Sequence, residues 1–255
     1  MKVSIKIYEV AYVKETPGPQ IFWMSDWENK YKLSFQVMLI KGGRKNILIN
    51  TGLTDELIPE VNKIWAADGN ENKKLIKTND IQIILRNEGM KPDDIDYVII
   101  TPLQHYTLGK IDIFKNAEIC LSKKGWIDFH VSNYNLEPRE LIIPSRILKY
   151  LIFDRWEKVK LLEDESYILP WISTFWCGCH HRSSIAIKIK TDNCIIIVTD
   201  AFFKLKNIED NIPIGIAENI YECLDAYSRI KKEADLVISL YDSGNFLQFE
   251  DGIII

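Results

Sequence analysis

Ile95-Asp96-Tyr97-Val98-Ile99-Ile100-Thr101-Pro102-Leu103-Gln104-His105-Tyr106-Thr107-Leu108-Gly109 decides how the rest of the chain is read. Tyr97 to Ile100 is a short apolar run of the length expected for a buried strand. Upstream, Thr78-Asn79-Asp80 can cap a helix in which Ile81, Ile84 and Leu85 share one side, with Gly89 as its C-terminal stop. Earlier still, Leu33, Phe35, Val37 and Leu39 alternate onto one face. Gly42-Gly43 then supplies a turn and Ile47-Leu48-Ile49 returns, which together predict a hairpin.

The second half repeats that order. Ile185, Ile187 and Ile189 alternate, Asp192-Asn193 turns, and Cys194 to Val198 is a buried strand ending at Asp200. Ile220, Leu224, Tyr227 and Ile230 recur at roughly helical spacing, and Leu236-Val237-Ile238 reads as a further strand. No linker rich in Pro, Gly or Ser divides the chain, so residues 1–255 are expected to form one domain of two sheets covered by helices. The stretch from Trp126 to Trp171 is less periodic and richer in aromatic and charged residues. It is read either as an overhang shaping a site entrance or as a surface excursion packed by its own rings.

The 255 residues are 47% hydrophobic and 27% charged, with a formal net charge of −4. That balance offers no overall attraction for nucleic acid or an anionic membrane. No segment approaches the roughly 18 uninterrupted apolar residues of a membrane span. Met1-Lys2-Val3-Ser4-Ile5-Lys6-Ile7 alternates like a strand rather than a signal peptide, which makes the cytoplasm the expected compartment. The five cysteines, at 120, 177, 179, 194 and 223, match no small disulfide scaffold and are expected to be reduced.

The stretch from Pro92 to Gly109 resembles the metal-binding strand and turn of the metallo-β-lactamase superfamily, in its lactonase and glyoxalase-II branch. There the sequence reads Asp-Ile-Asp-x-Val-x-x-Thr-His-x-His-x-Asp-His-x-Gly. This chain keeps the frame from Asp94-Ile95-Asp96 through Thr101 to Gly109, but has Pro102, Gln104, Tyr106 and Thr107 where the family has ligands. Further similarities follow in family order over nearly the whole chain. Ile47-Leu48-Ile49-Asn50-Thr51-Gly52 resembles the strand before Asp-Thr-Gly, with Asn50 in place of Asp. Gly178-Cys179-His180-His181-Arg182-Ser183 is similar to a Pro-Gly-His-x-Ser turn, which makes His181 the ligand position. Val198-Thr199-Asp200-Ala201 resembles the Gly-Asp-Ala turn, and Tyr241-Asp242 stands where the family has His-Asp.

The resemblance implies an α/β fold, the four-layer αββα sandwich. It also implies a hydrolase-like protein lacking the usual dinuclear zinc site. Of seven positions that hold two metals in the family, His181 and Asp200 retain a ligand type. A catalytic zinc needs about three protein ligands and an open position. Proline has no side-chain donor, and Gln104, Thr107 and Tyr241 compete poorly with imidazole. No cofactor is therefore expected; the alternative is one divalent metal (zinc, iron or manganese) in a rearranged site that serves an ester, lactone or thioester hydrolase. His181, Asp200, Tyr106 and Tyr241 are the candidate catalytic residues, and Gln104, His105, Thr107, His180, Arg182 and Asp242 the candidates for substrate contact. On another reading His181 and Asp200 pair inside a repaired core, and Arg182 is expected to pair with Asp200 or Asp242. The partner expected is a small carbonyl-bearing or anionic molecule, with neither nucleic acid nor membrane. A non-catalytic scaffold or interaction protein, as a homodimer for example, is the remaining alternative.

Overall fold

The computed structural model describes residues 3–132 and 137–255. Residues 133–136, part of the stretch between Trp126 and Trp171, and residues 1–2, where the expected amino-terminal strand was placed to begin, lie outside them. The first sheet contains β1 (Val3–Pro17), β2 (Lys30–Gly42), β3 (Lys45–Ile49), β4 (Leu75–Lys77), β5 (Tyr97–Ile99), β6 (Glu118–Ser122) and β7 (Val159–Leu162). Their spatial order is 4-1-2-3-5-6-7. The second contains β8 (Glu165–Leu169), β9 (Ile172–Trp176), β10 (Ile185–Lys190), β11 (Ile195–Thr199) and β12 (Leu236–Ser239), in the order 12-11-10-9-8.

The expected hairpin is β2 and β3, joined through Gly43 in the left-handed region and paired from Met38–Ile49 to Gly42–Lys45. From β3 onward the sheet turns parallel through β5, β6 and β7, which requires crossover connections. One such crossover holds the expected helix, Ile81–Asn87. Its Asp80 side chain accepts from Gln82 N, and Gly89 follows at φ 69°.

Two-residue periodicity places the sheets face to face. Ile185, Ile187 and Ile189 of β10 pack with Ile5, Ile7, Met38, Ile47 and Ile99 in a fully buried layer between them. The opposite faces, including Leu33, Phe35, Val37 and Leu39, pack with the helices. On that side Ile81, Ile84 and Leu85 cover the first sheet, and Cys223, Ala226, Tyr227 and Ile230 of the helix Ile220–Glu233 cover the second. The result is the αββα order expected. Among the described residues no helix is long and apolar enough to cross a membrane.

The cysteines require a correction. Cys179 and Cys223 form a disulfide with Cα atoms 4.6 Å apart, while Cys120, Cys177 and Cys194 are free. The helix Ile220–Glu233 presents Cys223 to the turn after β9, a proximity that sequence spacing of 44 residues does not reveal.

Candidate functional site

Five connections meet at one edge of the sandwich: those after β3, β5, β9, β11 and β12. The first two are locked together through Gly109, whose N–H donates to Gly52 O at 2.9 Å. A Cβ at Gly109 would come within 1.7 Å of Leu53 O, so only glycine permits this approach. Asn50, at φ 61°, clasps the other side: Thr101 N donates to its Oδ1 (2.9 Å) and its Nδ2 donates to Thr101 O (3.0 Å). The amide is what this clasp needs, because a carboxylate would set an oxygen against Thr101 O. Asn50→Asp is therefore expected to lower stability by about 2 kcal/mol in urea unfolding, through an unpaired buried carbonyl; an unchanged midpoint would contradict the clasp.

Asp200, at the end of β11, is fully buried. Its Oδ1 accepts from Thr101 Oγ1, and its Oδ2 accepts from Ser184 Oγ (2.5 Å) and faces His180 Nδ1 at 3.3 Å. Its histidine partner is thus His180, whereas the family register suggested His181. The cause lies in the turn. Gly178 (φ 57°) and Cys179 (φ 68°) are both left-handed, and Cys179 is held there by the disulfide and by Glu222 Oε2 accepting from its N–H. This swings His180 inward against Phe203 and Tyr241. His181 instead sets Nδ1 3.3 Å from Glu218 Oε1 and Nε2 3.3 Å from Tyr106 Oη. Burial, reinforced by the neighbouring His181, pulls the His180 imidazole down to about 4 despite Asp200.

The other candidates separate into those lining a cavity and those spent elsewhere. A cavity of about 760 Å³ is lined by Gln104, Tyr106, His180, His181, Arg182 and Tyr241, among others. Burial, then the charge on Glu137, raises Tyr106 well above the ordinary phenol range. Burial, then Tyr106 and Asp200, does the same for Tyr241. Both are neutral hydroxyls near pH 7, fit to donate hydrogen bonds rather than attack. Tyr241 Oη is buried and faces the Tyr106 hydroxyl. With its amide oriented to satisfy both neighbours, Gln104 donates to Leu141 O (2.8 Å) and Glu137 Oε2 (3.3 Å). Thr107 Oγ1 is 2.6 Å from Pro102 O and 2.8 Å from Gln104 O, so it serves its own turn.

His105 packs between Trp65 and Tyr106, with Nδ1 unpartnered and burial lowering its pKa to about 3. Asp242 turns away: Lys204 Nζ pairs with its Oδ1 at 2.9 Å, and Leu205 N donates to its Oδ2. Arg182 pairs with neither Asp200 nor Asp242 but donates to both oxygens of Glu222 (2.7 and 2.6 Å). Among the described residues no three His, Cys, Asp or Glu side chains gather as a metal ion would need.

Thr101, Ser184, Glu218 and the cavity rings Phe35, Trp65 and Phe203 were not singled out as site contacts from sequence. Ser184 directly precedes β10 and Thr101 belonged to the retained frame. Glu218 lies in an irregular loop without a motif, and no local signal marked it.

No family model matches the chain. Over 174 residues, 66% of its length, it is 24% identical to an N-acyl homoserine lactonase of Bacillus cereus; the match spans 64% of that relative. An N-acyl homoserine lactone hydrolase solved with the product N-hexanoyl-L-homoserine at its catalytic metal center superposes with a TM-score of 0.76. It is 17% identical, with 98% of each chain covered. A hydrolase of the beta lactamase superfamily, AbOPH, superposes with a TM-score of 0.66 at 14% identity, over 98% of this chain and 89% of its own.

Proposed function

Because this chain has the metallo-β-lactamase fold of those hydrolases, we propose that it binds a small carbonyl-bearing molecule in the 760 Å³ cavity without the two-metal chemistry of the family. The observation that carries this reading is the state of the donors. Both Asp200 oxygens are engaged by Thr101, Ser184 and His180, and Gln104 and Thr107 are turned onto backbone carbonyls. Tyr106 and Tyr241 are protonated phenols, poor ligands for a dication beside the aspartate and the histidine that the family has at those positions. This donor set does not fit a dinuclear site.

The same residues suit a carbonyl. Two neutral hydroxyls line a cavity of aromatic and charged side chains whose volume falls within the usual ligand range of roughly 300–1,000 Å³. The Glu218–His181–Tyr106 chain orients one of them, and its imidazole can accept or return a proton at Tyr106 Oη. An open cavity also weighs against a scaffold whose former site is filled by side chains.

Elemental analysis of protein purified without added metal is expected to give less than about 0.2 equivalents of zinc, iron or manganese, where a resident site of three ligands would retain its ion. N-hexanoyl-L-homoserine lactone, followed by calorimetric titration, should bind equally well with and without EDTA. Tyr106→Phe with Tyr241→Phe should weaken it about tenfold or more, the worth of one or two hydrogen bonds. Stoichiometric metal, or binding abolished by EDTA, would replace this reading with the single-metal hydrolase.

A further inference from the structure

One short turn aims both cavity histidines, and its corner residue is held in place by the segment 218–223. His180 and His181 line the cavity from the turn after β9, where Gly178 (φ 57°) and Cys179 (φ 68°) are both left-handed. Gly178 suits that backbone, and a Cβ there would meet Glu222 Oε2 at 2.1 Å. Cys179 does not suit it, because a Cβ makes the left-handed region costly. It stays there under restraint. Its carbonyl accepts from Glu218 N (2.8 Å) and Asn219 N (3.2 Å), and its N–H donates to Glu222 Oε2 (3.1 Å). Its sulfur is bonded to that of Cys223.

Of those restraints the disulfide is the one that chemistry can break and remake. Its cover is thin: Cys223 is buried in the first turn of the helix Ile220–Glu233, between the exposed Tyr221 and Leu224. Burial pushes the Cys177 thiol up, so this nearby sulfur stays protonated and does not exchange into the bridge. A dithiol outside the chain supplies the electrons instead. The S–S bond breaks, each sulfur takes up a proton, and the dithiol closes to its own disulfide. Reduction thus removes a restraint on an unfavourable φ and puts nothing in its place. The backbone gains by leaving the left-handed region, and that rotation carries the next two residues with it. The contacts it disturbs are His181 Nε2 with Tyr106 Oη and His180 Nδ1 with Asp200 Oδ2, each at 3.3 Å.

Building on the carbonyl-binding reading, we propose that the Cys179–Cys223 disulfide is a redox switch for the cavity. Oxidised, it aims His180 and His181 and the site binds its ligand. Reduced by a dithiol, it lets the turn relax and the Tyr106 hydroxyl loses the imidazole that orients it. The position of the bond supports this role. It runs from the turn that carries both histidines to a helix that, among the described residues, contributes no side chain to the cavity lining. What the bond transmits to the site is therefore the direction of the turn.

Thiol titration after unfolding should count three thiols in the untreated protein and five once the folded chain has been treated with dithiothreitol. Reduction should leave the circular dichroism unchanged, shift the NMR ring signals of His180 and His181, and weaken calorimetric binding of N-hexanoyl-L-homoserine lactone about tenfold. Cys223→Ser should bind weakly with or without dithiothreitol. Cys179→Gly with Cys223→Ser should recover to within about threefold of the oxidised parent, because glycine keeps the left-handed turn without a bridge. Five thiols from the outset, or three that persist under dithiothreitol, overturn the switch. So does a loss of folded structure on reduction, or a glycine variant no better than Cys223→Ser. Equal lactone binding with unmoved ring signals also overturns it and leaves the carbonyl reading standing. Ring signals that shift in a protein binding no lactone in either state bring down the carbonyl reading and leave the switching turn. Neither shift nor binding brings down both.

Discussion

Asp200→Ala is expected to remove about 3–5 kcal/mol of folding stability, the range for stripping one partner from a buried charged network. A domain holds only about 5–15 kcal/mol in total, so this single side chain accounts for a large share. The carboxylate accepts from Thr101, which follows β5 of the first sheet, and from Ser184, which precedes β10 of the second, with His180 Nδ1 alongside. It therefore ties together the ends of the two sheets where all five site connections meet. Alanine leaves two buried hydroxyls and an imidazole without their acceptor. Asp200→Asn keeps an oxygen for Thr101, and the Ser184 hydroxyl and the His180 ring can reorient toward the new amide, so the cost should drop to about 1–2 kcal/mol. Urea unfolding followed by circular dichroism measures both. An alanine variant within about 1 kcal/mol of the parent would mean that the carboxylate is not satisfied by these groups, and that a missing ion is its proper partner.

The contrast between what was legible and what was not has a physical pattern. Strand positions were readable because alternation at Ile185, Ile187 and Ile189 has one consequence, burial of that face between the sheets. The helix after Asp80 was readable because capping is local in sequence. Side-chain direction in the turns was not. At Gly178-Cys179 two successive left-handed residues exchange the facing of His180 and His181, and a motif register carries no record of backbone handedness. The partners of Arg182 and Cys179 both lie on the helix Ile220–Glu233, some 40 residues away, and only packing brings that helix beneath the turn. Asp242 was expected near the substrate because the family places an acid there, yet Lys204 beside it draws the side chain outward. The cavity rings were invisible for a different reason: Phe35 and Phe203 look like any other core aromatic until the side chains around them leave a space.

Stability is also expected to fall by about 4 kcal/mol between pH 8 and pH 5, driven by His180 and His105. Their pKa values are drawn to about 4 and about 3 in the folded chain, against roughly 6.5 when unfolded. Because the folded values are depressed, the unfolded state binds more protons below pH 6.5, and stability present above that pH is lost as pH falls toward the folded values. Each group contributes about 1.4 kcal/mol per unit across that window, so two groups over the 1.5 units from 6.5 to 5 give the stated loss. Glu88, held down to about 2 with the Tyr8 hydroxyl as the main cause, works in the same direction but only near and below the ordinary carboxylate range. Asp128 opposes them, its pKa being raised by burial and then by the charge of Glu218. Urea unfolding at pH 8, 6.5 and 5 tests the slope, and His105→Gln should halve it. His105 is the sharper probe of the two, because its depression comes from burial alone and its Nδ1 has no partner to lose. A curve flat from pH 7 to pH 5 would show both imidazoles to be in contact with water, and the closed packing around Asp200 would fall with them.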